Sequence, residues 1–144
     1  MKLRWAALIA VLATSALMPR TSVGQTGGQS PPQRRTGSVG QNYPNPFNPD
    51  TNIPFTVGDP ASCNGERHRV TLHIYNLLAQ VVAIPQVERG GALIENIELE
   101  CGAYRAYWDG KVLKTNREAA SGVYLYRLEV DGRPSAAGRM FYQK

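Results

Sequence analysis

The chain has 144 residues, 42% of them hydrophobic and 19% charged, with two cysteines and a formal charge of +5. That length holds one domain and leaves no room for a second, and the hydrophobic share is that of a folded protein. The charge does not point to nucleic acid: Lys2, Arg4 and Arg20 fall in an N-terminal leader, and the +2 that remains without them is scattered among acids.

The leader reads as a signal peptide over residues 1–24. Met1 to Arg4 is basic, Trp5 to Met18 is almost wholly apolar, and Ser22-Val23-Gly24 offers small residues for cleavage before Gln25. The apolar run is shorter than the roughly 20 residues a bilayer requires, so no stable membrane insertion is expected after cleavage. Export is the expectation that follows. Residues 25–40 are Gln, Gly, Ser, Pro, Thr and Arg with a lone Val39, too polar to offset their ordering entropy, and read as a flexible linker.

The folded part is expected over 41–144. It opens on Gln41-Asn42-Tyr43-Pro44-Asn45-Pro46-Phe47-Asn48-Pro49-Asp50-Thr51. Each proline fixes its own φ and pushes the residue before it out of the helical region, so the stretch should be stiff, extended and outside any ladder. Asn45, Asn48 and Asp50 can satisfy main-chain groups locally, leaving Tyr43 and Phe47 to anchor on the body. Ile53, Phe55 and Val57 then alternate as a strand, and Pro54, with no N–H to give, predicts an edge strand or one paired on a single side. Residues 58–69 read as a polar connection whose dense basic group, Arg67-His68-Arg69, is a solvated loop.

Val70, Leu72 and Ile74 alternate again. Asn76 to Ala79 interrupts them, and Val81 to Ile84 resumes as the return of a hairpin. Leu93, Glu95, Ile97 and Leu99 suggest a further strand, Tyr104, Ala106 and Trp108 a clear one, stopped by the turn pair Asp109-Gly110. Lys111 to Ser121 is a loop. From Gly122, Tyr124, Tyr126, Leu128 and Val130 share one strand face; Asp131-Gly132 turns the chain, which returns through Arg139 to Tyr142. About seven short strands and no helix beyond the leader predict an antiparallel, Ig-like β-sandwich. Two cysteines in an exported chain read as one bridge, Cys63 to Cys101, with two free thiols as the alternative.

Nothing in the sequence assembles a reaction centre. His68 and His73 are the only histidines, no metal-ligand spacing or nucleophile elbow occurs, and without a helix there is no phosphate loop. The protein reads as non-enzymatic, without cofactor, metal, nucleic acid or small-molecule substrate. Trp108 ahead of Asp109-Gly110 is better explained as core than as a ligand platform, and Tyr124 and Tyr126 as inward packing. Asp50, Asp59, Asp109 and Asp131 each sit beside Gly or Pro as turn residues do, not as calcium ligands.

Several motifs together resemble a known family. Asn42-Tyr43-Pro44-Asn45-Pro46-Phe47-Asn48-Pro49, Thr51-Asn52-Ile53-Pro54-Phe55, Val70 to Tyr75, Gly102 through Trp108-Asp109-Gly110, and Ala120-Ser121-Gly122-Val123-Tyr124-Leu125-Tyr126-Arg127-Leu128 are similar to the type A C-terminal sorting domain of type IX secretion cargo. The related Ig-like domain of the flagellar hook-capping protein shares the Trp-Asp-Gly and Ser-Gly-Val-Tyr motifs. The resemblance implies a non-catalytic address label that takes exported cargo across the outer membrane, with the outer-membrane secretion machinery as its protein partner. The alternative is a structural or adhesive module of an extracellular or flagellar assembly. Ala79 stands where the family carries a glycine, which argues against a left-handed backbone there. The cysteines are additions to the family pattern, and only a tether precedes the module where a large passenger is usual.

Overall fold

A computed structural model describes residues 36–144; the expected signal peptide and residues 25–35 of the linker lie outside the described residues. Nine strands follow in order: β1 (Gly37–Val39), β2 (Thr51–Val57), β3 (Arg67–Tyr75), β4 (Val81–Ala83), β5 (Gln86–Val87), β6 (Ile97–Glu100), β7 (Gly102–Trp108), β8 (Gly122–Val130) and β9 (Arg133–Tyr142). Among the described residues there is no helix. The strands pair antiparallel in two sheets, β1-β2-β7-β5 and β4-β3-β8-β9, with β6 also on β3. This is the antiparallel sandwich that the alternation implied, with two more strands than expected.

The period-two pattern supplies the core. Ile53, Phe55 and Val57 from β2 and Ala106 and Trp108 from β7 face Val70, Leu72 and Ile74 from β3, Tyr124, Tyr126, Leu128 and Val130 from β8, and Met140 and Tyr142 from β9. Each large apolar side chain taken fully from water contributes about 1.5–3 kcal/mol, so these inward faces supply most of what holds the sheets together. The β8–β9 hairpin turns on Asp131 and Gly132, both at positive φ (52° and 73°), as the Asp-Gly pair predicts. Asp131 also accepts hydrogen bonds from the Arg69 N–H (3.0 Å) and pairs with His68 Nδ1 (2.8 Å). The His68 hydrogen bond, first among these effects, holds the Asp131 carboxyl below its ordinary pKa.

Five expectations are corrected. The folded body starts before Gln41, because β1 lies inside the expected linker and pairs with β2. Its strand signal is hidden by Gly37, which is buried where a Cβ would collide with the Thr56 carbonyl and Leu128. Strand β2 is not an edge: it lies between β1 and β7. Pro54 is tolerated because its carbonyl accepts from Gly40 N–H at 2.8 Å. A strand residue's N and C=O point to the same side, so the missing N–H faces the flank where β1 has ended and the β7 ladder loses nothing.

The basic group Arg67-His68-Arg69 opens β3 instead of forming a loop, and Arg67 lies 3.8 and 3.6 Å from Glu98 and Glu100 across the β6 pairing. The strand expected from Leu93 begins only at Ile97. Asn96, at φ 53°, reverses the alternation, so Ile94 is fully buried and Leu93 is exposed, whereas beyond the bend Ile97 and Leu99 pack inward. Ala79 does take the left-handed conformation, at φ 59°. Asn76 forces it: its Oδ1 accepts from Leu78 and Gln80 N–H, both at 3.0 Å, while Ala79 N–H donates to Asn76 C=O at 3.1 Å.

Ala79→Gly is therefore expected to stabilise the fold by about 0.5–1 kcal/mol. Relief of about 1–2 kcal/mol of backbone strain exceeds the roughly 0.4–1 kcal/mol of added unfolded-state entropy. A higher urea midpoint at unchanged slope would register the gain.

Candidate functional site

The stretch Gln41 to Asp50 crosses from one sheet to the other and closes one flank of the sandwich as a strap. At its start, Tyr43 and Asn52 exchange both backbone hydrogen bonds (2.8 and 2.9 Å), tying it to β2. At its far end, Phe47 N–H donates to Phe141 C=O (2.9 Å) and Gln143 N–H donates to Phe47 C=O (3.1 Å). Asn45 Oδ1 accepts from Phe141 N–H at 3.0 Å. The strap thus makes two bridges, one on each sheet, where no ladder contact was expected, and it covers the end of β9. The peptide bonds before Pro44, Pro46 and Pro49 are cis.

One side of the strap belongs to the fold. Asn42 is buried and accepts from Gln41 Nε2 (2.8 Å) while its amide donates to Pro44 C=O (3.1 Å) and Thr51 Oγ1 (3.0 Å); Thr51, also buried, donates in turn to Pro44 C=O (3.1 Å). A closed network of this kind leaves no buried polar atom of the pair wanting. Phe47 enters the core, stacked on Tyr142 with ring centroids 4.8 Å apart and tilted against Trp108 at 5.4 Å. Trp108 meets Tyr124 edge-on at 5.4 Å and donates from Nε1 to Lys111 C=O at 2.9 Å.

The motif residues named from sequence therefore divide. Phe47, Trp108, Tyr124 and Tyr126 are core, and Gly110, at φ 76°, lies so close to the Pro49 carbonyl that a Cβ would collide with it. Asp109 caps the same turn by accepting from Lys111 N–H at 3.0 Å, and Gly122 opens β8 opposite Tyr142. Tyr43 is not the second anchor that was expected; its ring is 45% exposed. Pro44, Pro46, Asn48 and Pro49 also face solvent. A shallow hollow of about 380 Å³, lined by Pro44, Pro46, Phe47, Asn48, Gln143 and Lys144, joins the outer side of the strap to the end of the final hairpin.

Cys63 and Cys101 are bonded. His68 and His73 are not brought together: they lie five positions apart on β3, on opposite faces, and His73 Nε2 stands 3.6 Å from Glu95 on the outer side. Among the described residues no group of three or more His, Cys, Asp or Glu could hold a metal ion.

No family model matches the chain, and no curated protein does. Among solved structures it is similar to the Pseudomonas fluorescens alkylpurine DNA glycosylase AlkC bound to DNA containing an abasic site analog, at 12% identity and a TM-score of 0.48. The match covers 76% of this chain and 31% of that one.

Thr51 and Tyr142 were not singled out from sequence. Parity would have found both, since Thr51 is in step with Ile53, Phe55 and Val57, and Tyr142 with Met140. Burial pushes the Tyr142 hydroxyl above its ordinary pKa, with the field of Glu118 acting in the same direction. That hydroxyl has no hydrogen-bond partner among the described residues, whereas the Tyr126 hydroxyl, also raised by burial, donates to Gly40 C=O at 2.8 Å. Tyr142→Phe should consequently be neutral or stabilising by up to about 1 kcal/mol. Tyr126→Phe should cost about 0.5–1.5 kcal/mol, the net worth of its hydrogen bond to Gly40 C=O. Urea midpoints in the order Tyr142→Phe, wild type, Tyr126→Phe would bear this out.

Proposed function

We propose that residues 41–144 form a non-catalytic sorting module of the type IX secretion kind, directing an exported protein through the outer membrane to the cell surface or medium. The observation that carries this reading is the double use of the motif Asn42 to Pro49. Asn42 and Phe47 hold the strap to the sandwich, while Tyr43, Pro44, Pro46, Asn48 and Pro49 are exposed along its outer ridge. A segment held stiff by its own fold presents side chains to a partner at low entropic cost, which favours recognition by surface complementarity. The partner is a protein of the outer-membrane secretion machinery.

The test is a fusion of residues 25–144 behind an exported reporter in a host that has the secretion system. The reporter is expected in the medium or on the outer surface, and lost from both when the system is disabled. An Asn48→Ala change on the exposed ridge should lower export without lowering the melting temperature. A reporter that stays in the periplasm regardless of the system would reject the sorting reading and favour a structural or adhesive module.

A further inference from the structure

A second feature lies on the outer face of the first sheet and meets the strap at Tyr43. Alternation turns Asn52 of β2 and Arg105 and Tyr107 of β7 to this face, and Asn52 stands opposite Tyr107 in the register. Asp50 organises the neighbourhood: its carboxylate accepts from the Tyr107 hydroxyl at 2.9 Å and pairs with Arg89, whose guanidinium lies over the Tyr107 ring, 4.7 Å from its centroid. Arg105 reaches toward the Tyr43 hydroxyl at 3.5 Å. Asn52, Glu88, Arg89 and Arg105 line an open cleft of about 290 Å³ between these groups.

Charge and chemistry narrow what could occupy it. Arg89 and Arg105 are matched by Asp50 and Glu88, so the formal charges cancel and the cleft concentrates neither anions nor cations. Arg105 is held above its ordinary pKa, first by the Tyr43 hydroxyl and then by Glu88, and stays a donor. The walls are polar, so an apolar ligand gains little. What remains is a close alternation of donors (two guanidiniums, the Asn52 amide) and acceptors (Glu88, the Asn52 carbonyl) beside one exposed aromatic ring. Hydroxyl groups both donate and accept, so a run of neighbouring hydroxyls matches this alternation where a phosphate or a simple carboxylate, acceptor only, would meet Glu88 in opposition. Asp50 holds Arg89 and Tyr107 at the edge of the cleft.

We propose that this cleft binds a neutral saccharide, with Asn52, Glu88 and Arg105 holding its hydroxyls and the Tyr43 ring lying against a sugar face. The reading is independent of the sorting function. Full-length protein would be titrated by calorimetry and by amide NMR shifts with three neutral probes, cellohexaose, xylohexaose and mannohexaose. At least one is expected to bind with a Kd at or below about 1 mM, with shifts centred on residues Asn52, Glu88, Arg89 and Arg105. Tyr43→Ala, Arg105→Ala and Glu88→Gln, all at exposed positions, should each weaken that binding at least about fivefold while the melting temperature holds. The proposal is overturned if no probe binds at about 10 mM, if the shifts map elsewhere, if the three variants bind as wild type does, or if inorganic phosphate occupies the cleft more tightly than the sugars.

Discussion

Replacing Phe47 by alanine is expected to destabilise the domain by about 3–5 kcal/mol, the range for removing a buried aromatic ring from a close-packed core. The ring is 1% exposed and touches Tyr142 and Trp108, so its loss opens a hole where the two sheets and the strap meet. A domain stable by about 5–15 kcal/mol loses a large fraction of that in one substitution. The exposed neighbour gives the contrast. Tyr43→Ala, at a ring 45% exposed, should change stability by no more than about 0.5 kcal/mol. Urea denaturation of both variants reads the difference directly, and amide exchange along the strap reads its release. Equal midpoints for the two would mean that the Phe47 ring contributes no packing, and the account of the strap as a structural closure would fail. For the sorting function proposed above, Phe47→Ala is expected to act through unfolding, whereas Asn48→Ala, at an exposed position, is expected to act without it.

The core was legible wherever inward residues were large and the alternation unbroken, as in β2, β7 and β8. There a period of two allows one buried face, and a slip by one residue would expose all of it. Legibility failed at residues whose role comes from a neighbour distant in sequence. Gly37 is in β1 because Thr56 and Leu128 leave space only for a glycine, which no local propensity reports. Pro54 reads as an edge because the rule concerns the missing N–H, but the side on which that N–H would have pointed is fixed by where β1 ends. Leu93 was read in step with Ile97 because nothing local reports that Asn96 inverts the parity of the chain between them. In the strap, the anchoring role of Phe47 followed from its chemistry, but that Tyr43 would lie outside, beside Arg105, depended on the register with Asn52. The polar cleft was not legible at all, since its residues come from the strap's end, β2, the segment after β5 and β7, and meet only through the sheet.

Breaking the Cys63–Cys101 bridge is expected to cost about 2–4 kcal/mol. The two half-cystines are 38 positions apart in sequence with Cα atoms 5.9 Å apart, and they join the β2–β3 connection to the junction of β6 and β7. Since β2 and β7 belong to one sheet and β3 and β6 to the other, the bridge fastens the sheets at an end of the sandwich where residues 59–66 of the β2–β3 connection are exposed apart from Cys63. A closed loop of this length removes about 4 kcal/mol of unfolded-chain entropy in the simple chain model, near the upper end of the expected range. With roughly 4–8 °C of melting temperature per kcal/mol for a domain of this size, the double variant Cys63→Ser, Cys101→Ser should melt more than about 10 °C lower. The transition should remain single and cooperative, because every residue of the inter-sheet core is untouched. Reductant should produce the same shift in the wild type and none in the double variant; a wild-type melt indifferent to reductant, with two titratable thiols before treatment, would remove the bridge.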